Sequence, residues 1–429
     1  MVQATLPLEI YDHIIGFLYD DKDELKRTAL VCKSWLASSR FHLFYSVTLL
    51  PPTEAPSHSS RPSPCKILAN MLVNSTSLSR CVKELSLHEG SRHGRLGWAW
   101  METEPSLPKL LAAVRGSLVT LCIQADPRER PPLAIRLARF PESLLNLADR
   151  MVKRQTPFLN LQHLRLKGMT LPDVQTISTV VAAMPALKDL ELVHIRAASP
   201  EVAPRTHVEA HPLARKAALQ SLQIISRDAH GFIRDLLRQQ TVYLFDLRSL
   251  AYTANMEDVD LVNEIIATCP NSLETIELFV STPQGQAVQT LGLGNVPDLS
   301  RTSNIKKVIL DGDIKPGVPD VVEFAFYMLA TIPPADNVLE EVSLTVSIDC
   351  ALPADAINAA SQSFYRLDNC LAIKWQFPHL KRVRVDFRLY ENDPGAPQAQ
   401  PVEDLAAHFL ICLAALETRG LLYVDVSSV

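Results

Sequence analysis

LQHLRLKGMT (residues 161–170) and LKDLELVHIR (residues 187–196) share one pattern: an apolar residue, two variable positions, a second apolar residue, one variable position and a third apolar residue. The closing positions alternate as a strand buried on one face alternates. With ϕ for an aliphatic or aromatic residue, the ϕ-x-x-ϕ-x-ϕ unit recurs at Val82/Leu85/Leu87, Leu118/Leu121/Ile123, Leu161/Leu164/Leu166, Leu187/Leu190/Leu192, Leu219/Leu222/Ile224 and Leu247/Leu250/Tyr252. It continues at Leu273/Ile276/Leu278, Ile305/Val308/Leu310, Leu339/Val342/Leu344, Leu380/Val383/Val385 and Leu421/Val424/Val426, eleven copies in all. Between copies stand helix-like segments such as PDVQTISTVVAAM, DVDLVNEIIATC, PDVVEFAFYMLATI and PVEDLAAHFLICLAAL, several with an acidic first turn. Strand and helix alternate, so the expected class is α/β with a parallel sheet.

One such unit cannot bury its apolar side alone, whereas units stacked side by side share a continuous core. First positions are 26 to 43 residues apart, longer and less even than the roughly 20 to 29 of regular leucine-rich repeats. The series resembles a degenerate form of that repeat. The resemblance implies an irregular solenoid over residues 65–429, with a curved parallel sheet and helices on its convex side. A doubly wound sheet also alternates strand and helix, but it calls for a glycine-rich turn after the first strand, which is missing here. Glycine is scarce throughout, at 14 of 429 residues.

Ahead of the repeats, TLPLEIYDHIIGFL (residues 5–18) sets Leu6, Ile10, Ile14 and Leu18 at four-residue steps, with Pro7 where a first helical turn tolerates it. Asp21 and Glu24 have capping-box spacing before a second helix supplied with Leu25, Leu30 and Val31. CKSWLASSRFHLFYSVTLL then carries Trp35, Leu36, Phe41 and Phe44 into a β-branched stretch that stops at Pro51 and Pro52. A unit of about 45 residues without disulfide or metal seldom folds alone, so this apolar set packs on the next domain or on another polypeptide.

The string LP-x-E-I-x-x-x-I-x-x-x-L followed by VCKSW resembles the F-box, the three-helix module that docks substrate receptors on the Skp-type adaptor of cullin-RING ubiquitin ligases. Leu6, Pro7, Glu9, Ile10, Ile14, Leu18, Leu25, Val31, Cys32 and Trp35 stand at motif positions. The chain departs from the family at the end, where LFYSVTL replaces the frequent terminal Leu-Trp. The resemblance covers residues 5–50 and implies adaptor contacts at Leu6, Pro7, Ile10 and Ile14, with Leu18 on the same face. Val31, Cys32 and Trp35 fit either the adaptor interface or the packing between helices. Residues 51–64, PPTEAPSHSSRPSP, read as a Pro/Ser-rich linker to the solenoid. F-box and leucine-rich repeats are a known pairing, in which the repeats bind a protein client.

If the ϕ positions face the core, the residues between them form the client-binding face. Those residues nominate His163, Arg165 and Lys167, then Asp189 and Glu191, then Glu277 and Phe279, then Arg382, Arg384 and Asp386. Opposite charges there could equally pair across strands. The insertions beginning at residues 197, 281 and 391 offer a second surface, as does HEGSRHGRLGWAW with Trp98 and Trp100, read either as an interface anchor or as buried packing.

Lys plus Arg number 42 against 47 Asp plus Glu. This balance and the mixed-sign face exclude a nucleic-acid stripe. The longest apolar run noted, Phe409 to Leu416, is too short to cross a bilayer, and the N-terminus shows no secretory pattern. The expected address is therefore cytoplasmic or nuclear. The dispersed cysteines read as reduced core thiols.

Neither nucleotide-loop, serine-hydrolase nor zinc-protease motifs occur. Gly292 and Gly294, His88, Glu89 and His93, and the Asp311-Gly312-Asp313 segment, read as a turn after a strand, form no cofactor or metal site. The expectation is a non-catalytic, cofactor-free receptor subunit of a ubiquitin ligase. An adaptor-bound scaffold without ubiquitin targeting fits the same residues, and an enzyme on a strand-helix fold fits them poorly.

Overall fold

Pro7 stands as the N-cap of the first helix. The computed structural model describes residues 7–51, 62–89, 100–125, 138–139, 144, 146–148, 157–199, 216–226, 228–254, 259–280, 296–315, 320–334, 337–349, 352–390 and 402–428. It divides into two compact units, Met1–Ala218 with Gly231–Val242, and Leu219–His230 with Tyr243–Val429.

In the first unit, helices α1 (Leu8–Gly16), α2 (Lys22–Thr28) and α3 (Lys33–Tyr45) pack together around Ile15 and Leu25, both fully buried. Pro7 is the N-cap rather than a first-turn residue. Asp21 caps α2, accepting from the backbone N–H of Asp23 at 3.1 Å and of Glu24 at 2.9 Å. The reciprocal half of the expected capping box is absent, because the Glu24 carboxylate pairs with Arg27 at 3.1 Å instead. Of the apolar residues expected to supply the second helix, only Leu25 is buried. Leu30 and Val31 lie in the turn that follows and point outward.

The β-branched stretch forms strand β1 (Ser46–Leu49), which pairs in parallel with β2 (Glu84–Glu89). Of the proline-rich stretch, residues 52–61 lie outside the described residues. Its end is helical: the Ser63 hydroxyl accepts the Lys66 N–H at 3.0 Å, and Pro64 opens the helix Pro64–Asn74. Beyond β2 the unit adds β3 (Thr120–Ala125), β4 (His163–Lys167) and β5 (Asp189–Val193), each parallel to the one before. Three short strands, Ala138–Arg139, Met169–Asp173 and Arg196–Ser199, form a separate small parallel sheet.

In the second unit, β6 (Ser221–Ile225), β7 (Ser249–Ala254), β8 (Thr275–Val280), β9 (Lys307–Ile314), β10 (Glu341–Asp349), β11 (Arg382–Tyr390) and β12 (Leu422–Ser428) again pair in parallel and in chain order. The chain is thus mixed α/β, with twelve long-sheet strands among the described residues, five in the first unit and seven in the second. Within each unit the strand order never reverses, unlike a doubly wound sheet with its switch point. Strand entries repeat one device. A single carbonyl accepts two N–H groups of the next unit, as Gln220 does from Arg248 (2.8 Å) and Ser249 (3.1 Å), and Lys306 from Glu340 (2.8 Å) and Glu341 (3.0 Å). Asparagine amides brace the loops between units, Asn160 onto the Gly116 carbonyl at 2.6 Å and Asn304 onto that of Asn271 at 2.5 Å.

Every ϕ residue of the first ten copies is buried, with Leu380 the most exposed at 5%. Burying each such side chain stabilises the fold by about 1.5–3 kcal/mol. Helices cover this face. Helix Val321–Ala330 approaches Gly312 so closely that a Cβ there would stand 3.0 Å from the Val321 Cβ. Phe387 on β11 meets Phe364 of helix Ala354–Leu371 at 5.8 Å and Phe409 of helix Val402–Ile411 at 6.1 Å.

The eleventh copy departs from expectation. Val383 pairs with Leu422 and Val385 with Val424, so β12 sits two residues away from the register the motif implies. Gly420, at φ +68°, stands between helix Ala414–Thr418 and the strand. An even slip keeps each side chain on its face. As the outermost strand, β12 leaves Val424 and Val426 exposed at 37% and 42%.

Candidate functional site

Two surfaces of the chain carry the residues singled out by sequence. The first is the N-terminal helical module. Leu6 lies outside the described residues, while Pro7, Ile10, Ile14, Val31 and Cys32 are all exposed. Ile10 and Ile14 are 44% exposed and Val31 63%, because α1 turns Ile15 rather than the four-residue stripe toward α3. Leu18 and Trp35 are half-buried, and the Trp35 ring stands 6.1 Å from Tyr11, so Trp35 serves packing between helices as well. Phe17, 71% exposed, escaped the sequence reading, and Leu30, expected to supply apolar contacts to the second helix, is 87% exposed instead. Both follow the last turn of a helix, where the chain leaves the core, and that position is the signal that could have found them. Cys32 is the N-cap of α3, and its thiol pKa is lowered by the Ser34 hydroxyl at 2.9 Å and then by the Trp35 N–H. The module thus leaves several large apolar side chains exposed.

The second surface is the sheet face not covered by helices. In the first unit it brings Arg165, Lys167 and Glu191 together: one carboxylate, 16% exposed, takes Arg165 Nε at 2.9 Å and Lys167 Nζ at 2.7 Å. His163 Nδ1 and Asp189 pair across the same two strands at 2.5 Å. These side chains are therefore engaged with each other. Beside Arg165 stands Cys122, whose thiol pKa is raised, chiefly by burial.

In the second unit the register makes rows across the open face. One row is Ala251, Glu277, Ile309, Ser343, Arg384 and Tyr423. The next is Thr253, Phe279, Asp311, Thr345, Asp386 and Asp425. Strands β9 and β10 separate Glu277 and Phe279 from Arg382 and Arg384, so the predicted residues fall into two groups. Arg384 holds Asp386 through Nε at 2.8 Å and reaches Asp425 through Nη2 at 3.7 Å. The Arg382 guanidinium lies 4.8 Å from the Tyr423 ring centre, a cation–π distance. Lys307 pairs with Glu341 at 3.0 Å.

Asp311, Gly312 and Asp313 are not a turn but the middle of β9, with both carboxylates on the open face. The alternation Val308, Leu310, Gly312, Ile314 keeps the strand running because glycine alone fits beneath Val321. Arg388 reaches Asp311 at 3.3 Å and Lys315 reaches Asp313 at 2.6 Å. Burial raises the pKa of Asp311, Arg388 opposes that shift and Asp313 adds to it.

Other predicted sites fare differently. Trp100 is no exposed anchor: it is 3% exposed, and its indole N–H donates to the His88 carbonyl at 2.7 Å. Trp98, His93, Gly292, Gly294, Cys350 and residues 200–212, 281–295 and 391–401 of the three insertions lie outside the described residues. Cys65, Cys269 and Cys370 are buried, with thiols pushed up to about 12, 11 and 11, whereas Cys32 is exposed and Cys81, Cys122 and Cys412 are half-buried, so core burial does not hold for all. A polar cleft of about 530 Å³ is lined by Gln220, Asp246, Arg248, Glu274 and Lys306 among others, and in it Lys306 and Glu274 neutralise each other at 2.9 Å. Among the described residues no group of three or more His, Cys, Asp or Glu could hold a metal ion, and no helix is long and apolar enough to cross a membrane.

No family model and no curated protein matches the chain. Among solved structures it is similar to a lysine decarboxylase from Selenomonas ruminantium, at 11% identity and a TM-score of 0.19, over 68% of this chain and 55% of that one. At that score the likeness carries no argument about fold or activity, and the reading of the chain rests on its own residues.

Proposed function

We propose that the chain is the substrate-recognition subunit of an SCF-type cullin-RING ubiquitin ligase: its N-terminal F-box-like module docks on a Skp-type adaptor, and its repeats bind a protein client. The observation that carries this reading is the exposure of Ile10 and Ile14, where the F-box resemblance implies adaptor contacts, and of Val31, which fits either that interface or helix packing. A three-helix module that buries Ile15 and Leu25 but leaves those three outside suits a partner that covers them. Strands in unbroken chain order, with ϕ residues inward and helices on that one face, support the leucine-rich-repeat-like solenoid as the client-binding half.

On this reading the protein makes and breaks no covalent bond. It raises the effective concentration of client lysines near the charged ubiquitin-conjugating enzyme held elsewhere in the complex. Its place of action is the cytoplasm or nucleus. Capture of purified Skp-type adaptor by the full chain tests the docking half. The double variant Ile10→Asp/Val31→Asp is expected to lose capture while keeping its fold, and undiminished capture overturns the assigned interface.

A further inference from the structure

On the open face of the second unit, Glu277 and Phe279 of β8 stand opposite Ile309 and Asp311 of β9, forming the corners of one patch. Neighbouring strands lie about 4.8 Å apart and same-face residues along a strand roughly 7 Å, so one long side chain from a partner reaches all four. On the other flank β7 presents Ala251 and Thr253, which are too short to lie over Glu277 and Phe279.

The charges around this patch are spoken for. Lys307 pairs with Glu341, Lys315 with Asp313, Arg388 with Asp311, and Arg384 with Asp386 and Asp425. Glu277 differs from all of these. It is half-buried, and among the described residues no cation comes within 4.0 Å of it. A partly buried carboxylate left without a partner is costly. Burial, then Asp311, push its pKa up, while Lys307 only partly opposes them. Phe279, half-buried two residues along, supplies an aromatic ring of the kind that attracts a cation within about 6 Å. Ile309 offers apolar surface to a methylene stem.

We propose that this patch seats an arginine or lysine side chain from an extended segment of the protein client. Its charged end pairs with Glu277, its stem lies along Ile309, and Phe279 flanks it. This rests on reading the open sheet face as the client-binding surface, and it names the class of client: a segment with an isolated basic residue. An acidic or phosphorylated segment is disfavoured, because it would bring an anion against Glu277 and Asp311.

The test uses the full chain and pools of otherwise random decapeptides, labelled for fluorescence anisotropy, with the central residue fixed as Arg, Lys, Gln or Glu. The Arg and Lys pools are expected to bind roughly tenfold more tightly than the Gln and Glu pools, the effect of one charge-assisted hydrogen bond. Glu277→Gln removes that preference and Glu277→Arg turns it toward the Glu pool, both with an unchanged melting midpoint. Phe279→Leu weakens the Arg and Lys pools but not the Gln and Glu pools, and serves as the second variant. A wild-type chain without the preference, or a preference that survives Glu277→Gln, overturns the proposal. Adaptor capture is measured in parallel: capture without the Arg preference sinks the patch and leaves the ligase reading, and the preference without capture does the reverse.

Discussion

The Asp368 carboxylate, in helix Ala354–Leu371, accepts the Leu416 N–H at 2.9 Å and so caps the short helix Ala414–Thr418, 48 residues further along the chain. A second bond, from the Ala415 N–H at 3.0 Å, completes the cap. Asp368 is 3% exposed, so removing it strands two N–H groups away from water. Asp368→Ala is expected to cost about 2–4 kcal/mol in urea unfolding, and Asp368→Asn, which keeps one acceptor, about half as much.

Asp320 gives the fold a pH signature. It caps helix Val321–Ala330 through the Glu323 N–H at 2.6 Å, and burial pushes its pKa from 3.8 to about 6. Below pH 4 both folded and unfolded chains hold the proton. Between about pH 4 and pH 6 the unfolded chain loses it first, so this residue's contribution to stability falls as pH rises and then levels off. The loss amounts to roughly 2–3 kcal/mol. Asp320→Asn retains the cap, and the wild-type-minus-variant difference in unfolding free energy should trace that fall. A flat difference from pH 4 to pH 7 would refute the shift.

Gly312→Ala should destabilise although the residue sits in a strand, where glycine is ordinarily a weakness. The added Cβ would lie 3.0 Å from the Val321 Cβ and 3.1 Å from the Val280 carbonyl oxygen, both fixed atoms. A cost of about 1–3 kcal/mol is expected, and Gly312→Ala/Val321→Ala should recover part of it.

Two neighbours on α1 should behave oppositely. Ile10, 44% exposed, tolerates Ile10→Asp within about 0.5 kcal/mol of the wild-type stability. Ile15, fully buried, does not: Ile15→Asp places an unpaired carboxylate among α1 to α3 and should melt the module, read as loss of helical circular dichroism.

The repeat was legible because burial selects for it directly: Leu85, Leu121, Leu164 and Leu190 share one row of the first unit, and the pattern that places them is a pattern of burial. Register is a different matter. The pattern fixes which face a residue takes but not where a strand begins, so the two-residue slip of β12 left no trace in the apolar spacing. The Asp311-Gly312-Asp313 segment misled for a related reason, since its composition favours turns and only the closeness of Val321 explains its glycine. The braces at Asn160 and Asn304 stand one position before a ϕ residue and could have been noticed. On the open face, the candidate residues were legible as charges, but whether each had a partner was not, because partners such as Arg388 and Asp311 lie 77 residues apart in the chain.

Strands that pair only with their chain neighbours also set how the second unit can assemble. Each pairing from β6 to β12 closes a loop within one repeat, so no step must wait for distant ends to meet. Zippering can begin at any adjacent pair and spread in both directions, and a lesion such as Gly312→Ala should slow the growth of its own two interfaces while leaving remote ones to form at their usual rate.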